Sequence, residues 1–323
     1  MNPALQVSEL EPARERLNAI RNEVSRVFLG DSAIIDLLLV AIMARGHVLL
    51  EGVPGVAKTT LVKALAQALG SSVRRIQFTP DLLPADITGT YILNPRDGSF
   101  SFRAGPVFAN IVLADEINRA PAKTQSALLE AMQERQVTVE GDRFELPDPF
   151  IVLATQNPID LEGTYPLPEA QIDRFAIRVQ VKYPQLRDEV QMLKSHGVVT
   201  PNPMTVVSAA DLLQLQSIAA RVFVEDDLFE YTARLAAYTR THAKIILGAS
   251  PRASLSLLRA AKSRAVLEGR PFVVPDDLRA LAAPVLAHRL IVIPELEADA
   301  HARTQLVEEA VTRVPYRKAV RPV

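Results

Sequence analysis

The chain has 323 residues, more than a single hydrophobic core usually holds, so we expect one large domain and one smaller domain. Its 36 basic and 37 acidic side chains give a net charge of -1, which argues against binding nucleic acid through a broadly basic face. The absence of cysteine excludes a disulfide framework, thiolate zinc sites and cysteine nucleophiles. The N-terminus does not resemble a signal peptide and the longest apolar stretch, 37–44, is too short to span a membrane, so we expect a cytoplasmic protein without membrane insertion.

The first part of the chain alternates between helical and strand-like patterns. Two helices, predicted at 10–28 and 32–44, precede a short apolar strand at 47–51, which leads through a glycine-rich loop into a helix at 59–69. Further short apolar runs alternate with helical stretches such as 121–134, and these runs predict strands at 73–78, 111–113, 151–154 and 177–181. The alternation indicates a parallel sheet covered by helices on both faces, so we predict an α/β fold with an αβα sandwich in residues 1–184.

From residue 185 onward, helical patterns follow one another with no convincing strand between them. The predicted helices lie at 185–195, 208–222, 226–242, 251–268, 275–287 and 296–314. We therefore predict that residues 185–323 form a separate, all-helical domain.

Two insertions, at about 88–104 and 136–147, interrupt the alternation in the first domain, and both are predicted as hairpins. In the second insertion Gly141 and Asp142 form the predicted two-residue turn, and glycine at the first turn position favours type II′. This register pairs Val139 with Phe144 and brings the apolar residues of the two strands together. The first insertion is predicted as a looser hairpin around the turn at 95–98.

The glycine-rich loop has the pattern of a phosphate-binding loop. Backbone N–H groups at a helix N-terminus bind phosphate, a lysine reaches the β and γ phosphates, and a hydroxyl ligates Mg²⁺. Lys58 and Thr59 fit the last two roles. Ala57 stands where glycine usually precedes the lysine, and we expect it to be tolerated with a negative φ. The residues predicted to bind the nucleotide are Gly52, Val53, Pro54, Gly55, Val56, Ala57, Lys58, Thr59 and Thr60.

Two carboxylates end the segment 110–116, which is predicted as a buried strand. Ligands of open α/β sheets bind at the carboxyl ends of the strands, where Asp115 and Glu116 are expected. We predict that Asp115 holds the Mg²⁺ shell and that Glu116 polarises the attacking water. The alternative is an exposed turn followed by a helix cap. Combined with the loop, the pair predicts an enzyme that hydrolyses ATP.

With two further motifs these segments resemble the AAA+ ATPases and, within them, the MoxR family. The four motifs are the loop at 51–59, the acidic segment at 114–120, the sequence Ala-Thr-Gln-Asn-Pro at 154–158, and residues 163–175, which end in Asp-Arg-Phe. The resemblance covers nearly the whole chain, and Ala57 is common in MoxR proteins. It implies an AAA+ P-loop core with a helical lid, ATP and Mg²⁺ as cofactors, and a homo-oligomeric ring, expected to be a hexamer.

The resemblance implies roles for three more residues. Asn157 looks like the sensor that orients the hydrolytic water, and Arg174 is similar to the arginine finger that reaches a neighbouring subunit's nucleotide. Arg252 resembles the second sensor, which ties the position of the lid to the nucleotide state. The structural alternatives are an Asn-Pro turn, a surface arginine paired with Asp173, and an ordinary helix start capped by Ser250.

The resemblance also implies a biological role for ATP hydrolysis. MoxR proteins are thought to remodel or mature protein clients together with partners that bear von Willebrand factor A domains. The hairpins would then face the pore or the client, with surface decoration as the alternative. Gln77, at the end of its strand, is expected to pair with Glu116 and to restrain it until a partner binds.

Two other classes of function remain open. A nucleic-acid motor or transcription activator shares the insertion hairpins, but the near-zero net charge and the absence of a helix-turn-helix or zinc module argue against it. The region near residue 90 also lacks the Gly-Ala-Phe-Thr-Gly-Ala signature of such activators. A non-catalytic nucleotide-sensing scaffold is the other class, and Glu116 argues against it because a scaffold needs no water-activating acid.

Overall fold

The computed structural model describes residue 5 and residues 7–53, 55–157, 164–196 and 202–317. Residues 54 and 158–163, which include Pro54, Pro158 and Gly163 of the predicted motifs, lie outside the described residues. In chain order the strands of the first part are β1 His47–Glu51, β2 Val73–Gln77, β3 Gly89–Leu93, β4 Phe100–Ala104, β5 Ile111–Asp115, β6 Gln136–Val139, β7 Asp142–Glu145, β8 Ile151–Gln156 and β9 Phe175–Gln180.

A parallel sheet with the strand order β2-β5-β8-β1-β9 forms the centre of this part. The strand before the glycine-rich loop, β1, lies beside β8, and β8 lies beside the strand that ends in the acids, β5. Because carboxyl ends of parallel strands meet at one edge of a sheet, this order brings the predicted motifs together.

The helices of this part cover both faces of the sheet. They are α1 Val7–Ser25, α2 Ser32–Met43, α3 Lys58–Ala68, α4 Pro84–Thr88, α5 Ala122–Glu134 and α6 Glu169–Ile172. Alternate residues of each strand enter different cores, as the period of two requires. On β5, Ile111 and Leu113 pack with α1, α2 and α3, while Val112 and Ala114 pack with α5. The predicted αβα sandwich is confirmed.

The second part is a bundle of helices that packs against the first core. In chain order its helices are α7 Leu186–His196, α8 Ala209–Arg221, α9 Asp226–Thr241, α10 Pro251–Leu267, α11 Pro275–Leu286, α12 Pro294–Glu297 and α13 Ala302–Arg313. The central helix, α10, packs against α2, α8, α9 and α11. Side-chain caps define the starts of α8 and α10, where Ser208 and Ser250 accept backbone N–H groups. The predicted division at residue 184 remains a prediction.

The prediction that no strand interrupts these helices was wrong in one detail. Two short antiparallel strands, β10 Ile245–Leu247 and β11 Ile291–Val292, pair after α9 and after α11. Both are too short to give a readable period of two in the sequence, and they form because the two loops lie side by side.

The hairpin formed by β6 and β7 has a different register from the predicted one. Val137, not Val139, pairs with Phe144, so Glu140 and Gly141 are the central turn residues. Their φ values, +53° and +93°, are both positive, which is the requirement of a type I′ turn. The shift by two positions keeps Val137 on the same face as before, where it is buried in the core beside α5.

The two hairpins touch each other. The rings of Phe102 on β4 and Phe144 on β7 stack with their centroids 3.9 Å apart, and the Tyr91 hydroxyl donates to the Asp142 carboxylate. Among the described residues no helix is long and apolar enough to cross a membrane.

Candidate active site

The phosphate-binding loop joins β1 to α3. Gly52 approaches the chain after β9 so closely that a Cβ atom on residue 52 would lie 2.4 Å from the Val181 carbonyl oxygen, and this explains why a glycine stands here. Gly55 has a φ of +82°, a conformation that glycine adopts without strain. Val56 is buried in the core and anchors the loop.

Lys58 begins α3, and its ammonium donates a hydrogen bond to the Gly52 carbonyl oxygen. Burial lowers the pKa of Lys58, and the nearby carboxylates of Asp115 and Glu116 oppose that shift. The cation therefore lies between the loop and the two acids.

Ala57 corrects the expectation of a negative φ, since its φ is +58° and its ψ is 24°. The chain must turn sharply between the loop and the first turn of α3, and a left-handed residue makes that turn. The methyl group of alanine costs about 1–2 kcal/mol in this conformation, which is why glycine is usual at the position.

We expect Ala57→Gly to stabilise the fold and to leave the loop intact. The substitution relieves about 1–2 kcal/mol of strain but gives back up to about 1 kcal/mol through the freedom of glycine in the unfolded chain, so the net gain is about 0.5–1 kcal/mol. Urea-induced unfolding measures this change in the free energy of unfolding. The control Ala233→Gly, in the exposed interior of α9, should instead lose about 1 kcal/mol. An equal loss for both variants would contradict the strain at residue 57.

Asp115, the last residue of β5, is held on both carboxylate oxygens. The Thr155 hydroxyl donates to Oδ1 at 2.6 Å, and Arg75 donates to Oδ2 through Nη2 at 2.6 Å and Nε at 3.0 Å. Thr155 and Arg75 come from β8 and β2, the strands on either side of β5. The Asp115 side chain is 10% exposed, so its orientation is fixed by these contacts.

Glu116 has a left-handed backbone with a φ of +56°, a strained conformation of the kind that concentrates at functional sites. Its N–H donates to the Thr155 hydroxyl oxygen at 2.8 Å. The carboxylate oxygen Oε2 accepts from Gln77 Nε2 at 3.0 Å and from Arg119 Nη1 at 3.0 Å. The predicted contact between Gln77 and Glu116 is confirmed.

Arg75 connects the two acids. The guanidinium that binds Asp115 also donates to Gln77 Oε1, and Gln77 in turn donates to Glu116. A continuous hydrogen-bonded chain therefore runs from one acid to the other across the ends of β2 and β5.

One open cleft, with a volume of about 410 Å³, collects most of the predicted residues. It is lined by Gly55, Ala57, Lys58, Thr59, Thr60, Asp115, Glu116, Thr155 and Asn157. Asn157 follows β8 and is buried. Of the predicted loop residues within the described part of the chain, Gly52, Val53 and Val56 do not line the cleft, and Val53 and Val56 pack against the core.

The donor set of the cleft fits Mg²⁺, which prefers oxygen ligands. The Thr59 hydroxyl, in the first turn of α3, and the Asp115 carboxylate both line the cleft. A carboxylate has about four lone-pair sites, so Asp115 keeps acceptor capacity beside Thr155 and Arg75. These two residues are the ones that would hold the ion.

Arg174 and Arg252 do not line this cleft. Arg174 lines a separate cavity of about 290 Å³ with residues of α5, and its Nε donates to Gln133 Oε1 at 3.2 Å. Arg252 is exposed in the first turn of α10. The structure thus groups the loop, the acids and Asn157, and it places both arginines elsewhere.

Sequence reasoning missed Thr155 and Arg75. Arg75 carried a usable signal, because the period of two puts it on the same face of β2 as Gln77. Thr155 lay inside a quoted motif, one position before the end of β8, but its bond to Asp115 depends on the pairing of β8 with β5, which the pattern does not give.

Comparison with known proteins agrees with this geometry. Residues 47–177 match the model of the ATPase family associated with various cellular activities (AAA), and residues 237–310 match the AAA lid domain. The protein YeaC of Bacillus subtilis is 47% identical over 90% of this chain and 92% of its own length. Chaperone MoxR1 of Mycobacterium tuberculosis is 48% identical over 86% of this chain and 76% of its own length. Protein MoxR of Methylorubrum extorquens is 33% identical over 93% of this chain and 94% of its own length.

A solved structure of a candidate ATPase from Cytophaga hutchinsonii superimposes with a TM-score of 0.89. The two sequences are 40% identical, and the match covers 96% of this chain and 98% of the other. The agreement therefore includes the sheet and the helical lid together. With relatives this similar along most of its length, the chain belongs to the MoxR family of AAA+ ATPases.

Proposed function

We propose that this chain binds and hydrolyses ATP as a subunit of a hexameric ring, and that hydrolysis drives the chaperone-like remodelling of a protein client. The observation that carries the proposal is the single cleft in which Lys58 and Thr59 meet Asp115, Glu116 and Asn157. A phosphate-binding loop and a water-activating acid are the two components that triphosphate hydrolysis needs.

In this proposal the loop binds the phosphates through backbone N–H groups at the start of α3 and through the Lys58 ammonium. Mg²⁺, held by Thr59 and Asp115, would neutralise phosphate charge. Glu116 accepts the proton of the attacking water, and Asn157 orients that water.

Two donors restrain the Glu116 carboxylate through one of its oxygen atoms. Its Oε2 atom is shared by Gln77 and Arg119, and both donors stabilise the carboxylate in its observed position. A partner that draws Gln77 or the hydrogen-bonded Arg75 away would release the base, which links client binding to the rate of hydrolysis.

The position of the Arg174 side chain supports the proposed assembly of subunits into a ring. The side chain lies in a cavity with α5 and not in the cleft of its own chain, which is what an arginine that serves a neighbouring subunit requires. Arg252 is proposed to report the nucleotide state to the lid. A relative of 48% identity is named a chaperone, which supports a protein client, and a partner with a von Willebrand factor A domain is the class we propose.

The test is a phosphate-release assay of the purified chain over a range of protein concentrations. The specific rate should rise with concentration as rings form. Lys58→Met should weaken ATP binding about 100-fold, because an ammonium that bonds a charged phosphate contributes about 3 kcal/mol. The matched control Lys63→Met, on the same helix but outside the cleft, should bind ATP as the parent does. Parental ATP affinity in the Lys58 variant would contradict the proposed site.

A further inference from the structure

Asp173, immediately before Arg174, is held by residues of the lid. Ser250 Oγ lies 3.0 Å from each of the two Asp173 carboxylate oxygens. Arg289 Nε lies 3.2 Å from Oδ1. Ser250 caps α10, whereas Arg289 belongs to the 3-10 turn Ala287–Arg289 after α11. Two separate lid elements therefore converge on one carboxylate of the core.

The residue on the other side of Arg174 is held by the same turn. The Phe175 carbonyl oxygen accepts a hydrogen bond from Arg289 Nη2 at 2.8 Å, and His288 Nε2 lies 3.0 Å from it. The lid thus holds the Asp173 side chain and the Phe175 backbone on either side of Arg174, while the Arg174 side chain itself contacts Gln133 of the core.

The contact between Arg289 and Asp173 is an ion pair that is largely buried. The Arg289 side chain is 2% exposed and that of Asp173 is 21% exposed, so water screens the pair only weakly. Burial lowers the pKa of Arg289 to about 10, Asp173 opposes this shift, and the charge of Arg252 adds to it. Arg289 remains a cation near neutral pH, and a buried ion pair of this kind holds its partner in one position.

The same lid helix carries Arg252. Ser250 Oγ accepts the Ala253 N–H at 3.1 Å and so closes the first turn of α10, in which Arg252 lies. A helical turn moves as a rigid piece, and a displacement of the start of α10 must therefore move Ser250 and Arg252 together.

We propose that Asp173, Ser250 and Arg289 form a latch that joins Arg174 and Arg252 into one rigid unit, so that the finger arginine changes position whenever the lid does. The proposal rests on the proposed role of Arg174. The three latch residues are positioning residues, because none of them lines the nucleotide cleft and each acts through the segment 173–175.

The test begins with Ser250→Ala, which removes the hydroxyl but leaves the ion pair of Asp173 and Arg289. In the assembled enzyme we expect kcat to fall about 10- to 100-fold, the effect of a small displacement of a catalytic group, with the affinity for a fluorescent ATP analogue unchanged. Ser250→Thr keeps the hydroxyl and should restore kcat. Ser208→Ala removes the same kind of cap from α8, away from segment 173–175, and should keep the parental kcat.

A double-mutant cycle separates a latch from a general loss of structure. Adding Asp173→Asn, which leaves the Ser250 cap of α10 in place, to Arg174→Ala should cause no further loss of kcat, because in the latch Asp173 acts through Arg174. An equal fold-loss in both backgrounds, or a parental kcat for Ser250→Ala alone, would overturn the latch. A parental kcat for Arg174→Ala alone would instead overturn the proposed finger. Asp173→Asn, which keeps the volume and removes the charge, should repeat the Ser250→Ala pattern.

Discussion

Replacing Glu116 by glutamine is expected to leave ATP bound and to slow its hydrolysis about 10²- to 10⁴-fold, the usual contribution of a positioned general base. Glutamine has nearly the same size and still accepts hydrogen bonds from Gln77 and Arg119 through its amide oxygen. What it loses is the capacity to take the proton of water. The affinity for a fluorescent ATP analogue should therefore match the parent, and single-turnover phosphate release should fall.

The control for this prediction is Glu145→Gln on β7, an exposed carboxylate of the hairpin outside the cleft, which should hydrolyse ATP at the parental rate. Parental hydrolysis by Glu116→Gln would show that another group activates the water. Because the variant should stay in its ATP-bound state, it is also the form with which to capture the client. Recovery of a client by Glu116→Gln with ATP, and not by Lys58→Met, would connect the cleft to that client.

Much of the fold could be predicted because it depends on local patterns. The apolar runs that became β1, β5 and β8 are short, buried on both faces and separated by helices, and few architectures other than a covered parallel sheet accept them. The strand order was not predicted. Neighbouring strands such as β2 and β5 are not consecutive in the chain, and no local pattern in either strand identifies the other as its partner.

The errors at the hairpin and at Ala57 have different causes. The register of the β6–β7 hairpin depended on whether glycine stood first or second in the turn, and in the observed register Phe144 pairs with Val137 and stacks on Phe102 of the other hairpin. Ala57 has a positive φ because the route of the chain from β1 into α3 outweighs the preference of an alanine. For Ala57 the path of the main chain overrode a local rule, whereas for the hairpin a second local rule, glycine at the second position of a type I′ turn, holds instead of the first.

The candidate site also contains residues that the sequence predicts and residues that only the structure reveals. Lys58, Thr59, Asp115 and Glu116 could be recognised because each lies in a contiguous motif with its own chemistry. Arg75, which ties the two acids to each other, lies in a strand without any motif, and the latch around Asp173 joins residues that are 77 and 116 positions apart in sequence. Motifs therefore identify the groups that touch the substrate, and the structure adds those that position them.

Replacing Arg174 by alanine is expected to keep ATP binding and to lower the rate of the assembled enzyme about 10³- to 10⁵-fold, the range measured for arginine fingers. The reason is the separation seen here, with Arg174 in the cavity beside α5 and the acids in the cleft. The loss should appear at protein concentrations where rings form, and size-exclusion chromatography should show the same assembly as the parent.

Mixing two inactive variants tests whether Arg174 acts between subunits. In a mixed ring, an Arg174→Ala subunit supplies an intact Glu116, and a Glu116→Gln neighbour supplies an intact Arg174, so one complete site forms at their interface. For a head-to-tail ring mixed one to one at random, about a quarter of the sites are complete, and about a quarter of the parental rate should return. The double variant, which carries both substitutions, should restore nothing with either single variant. If the two single variants stay inactive together after their subunits have exchanged, Arg174 does not complete the neighbouring site.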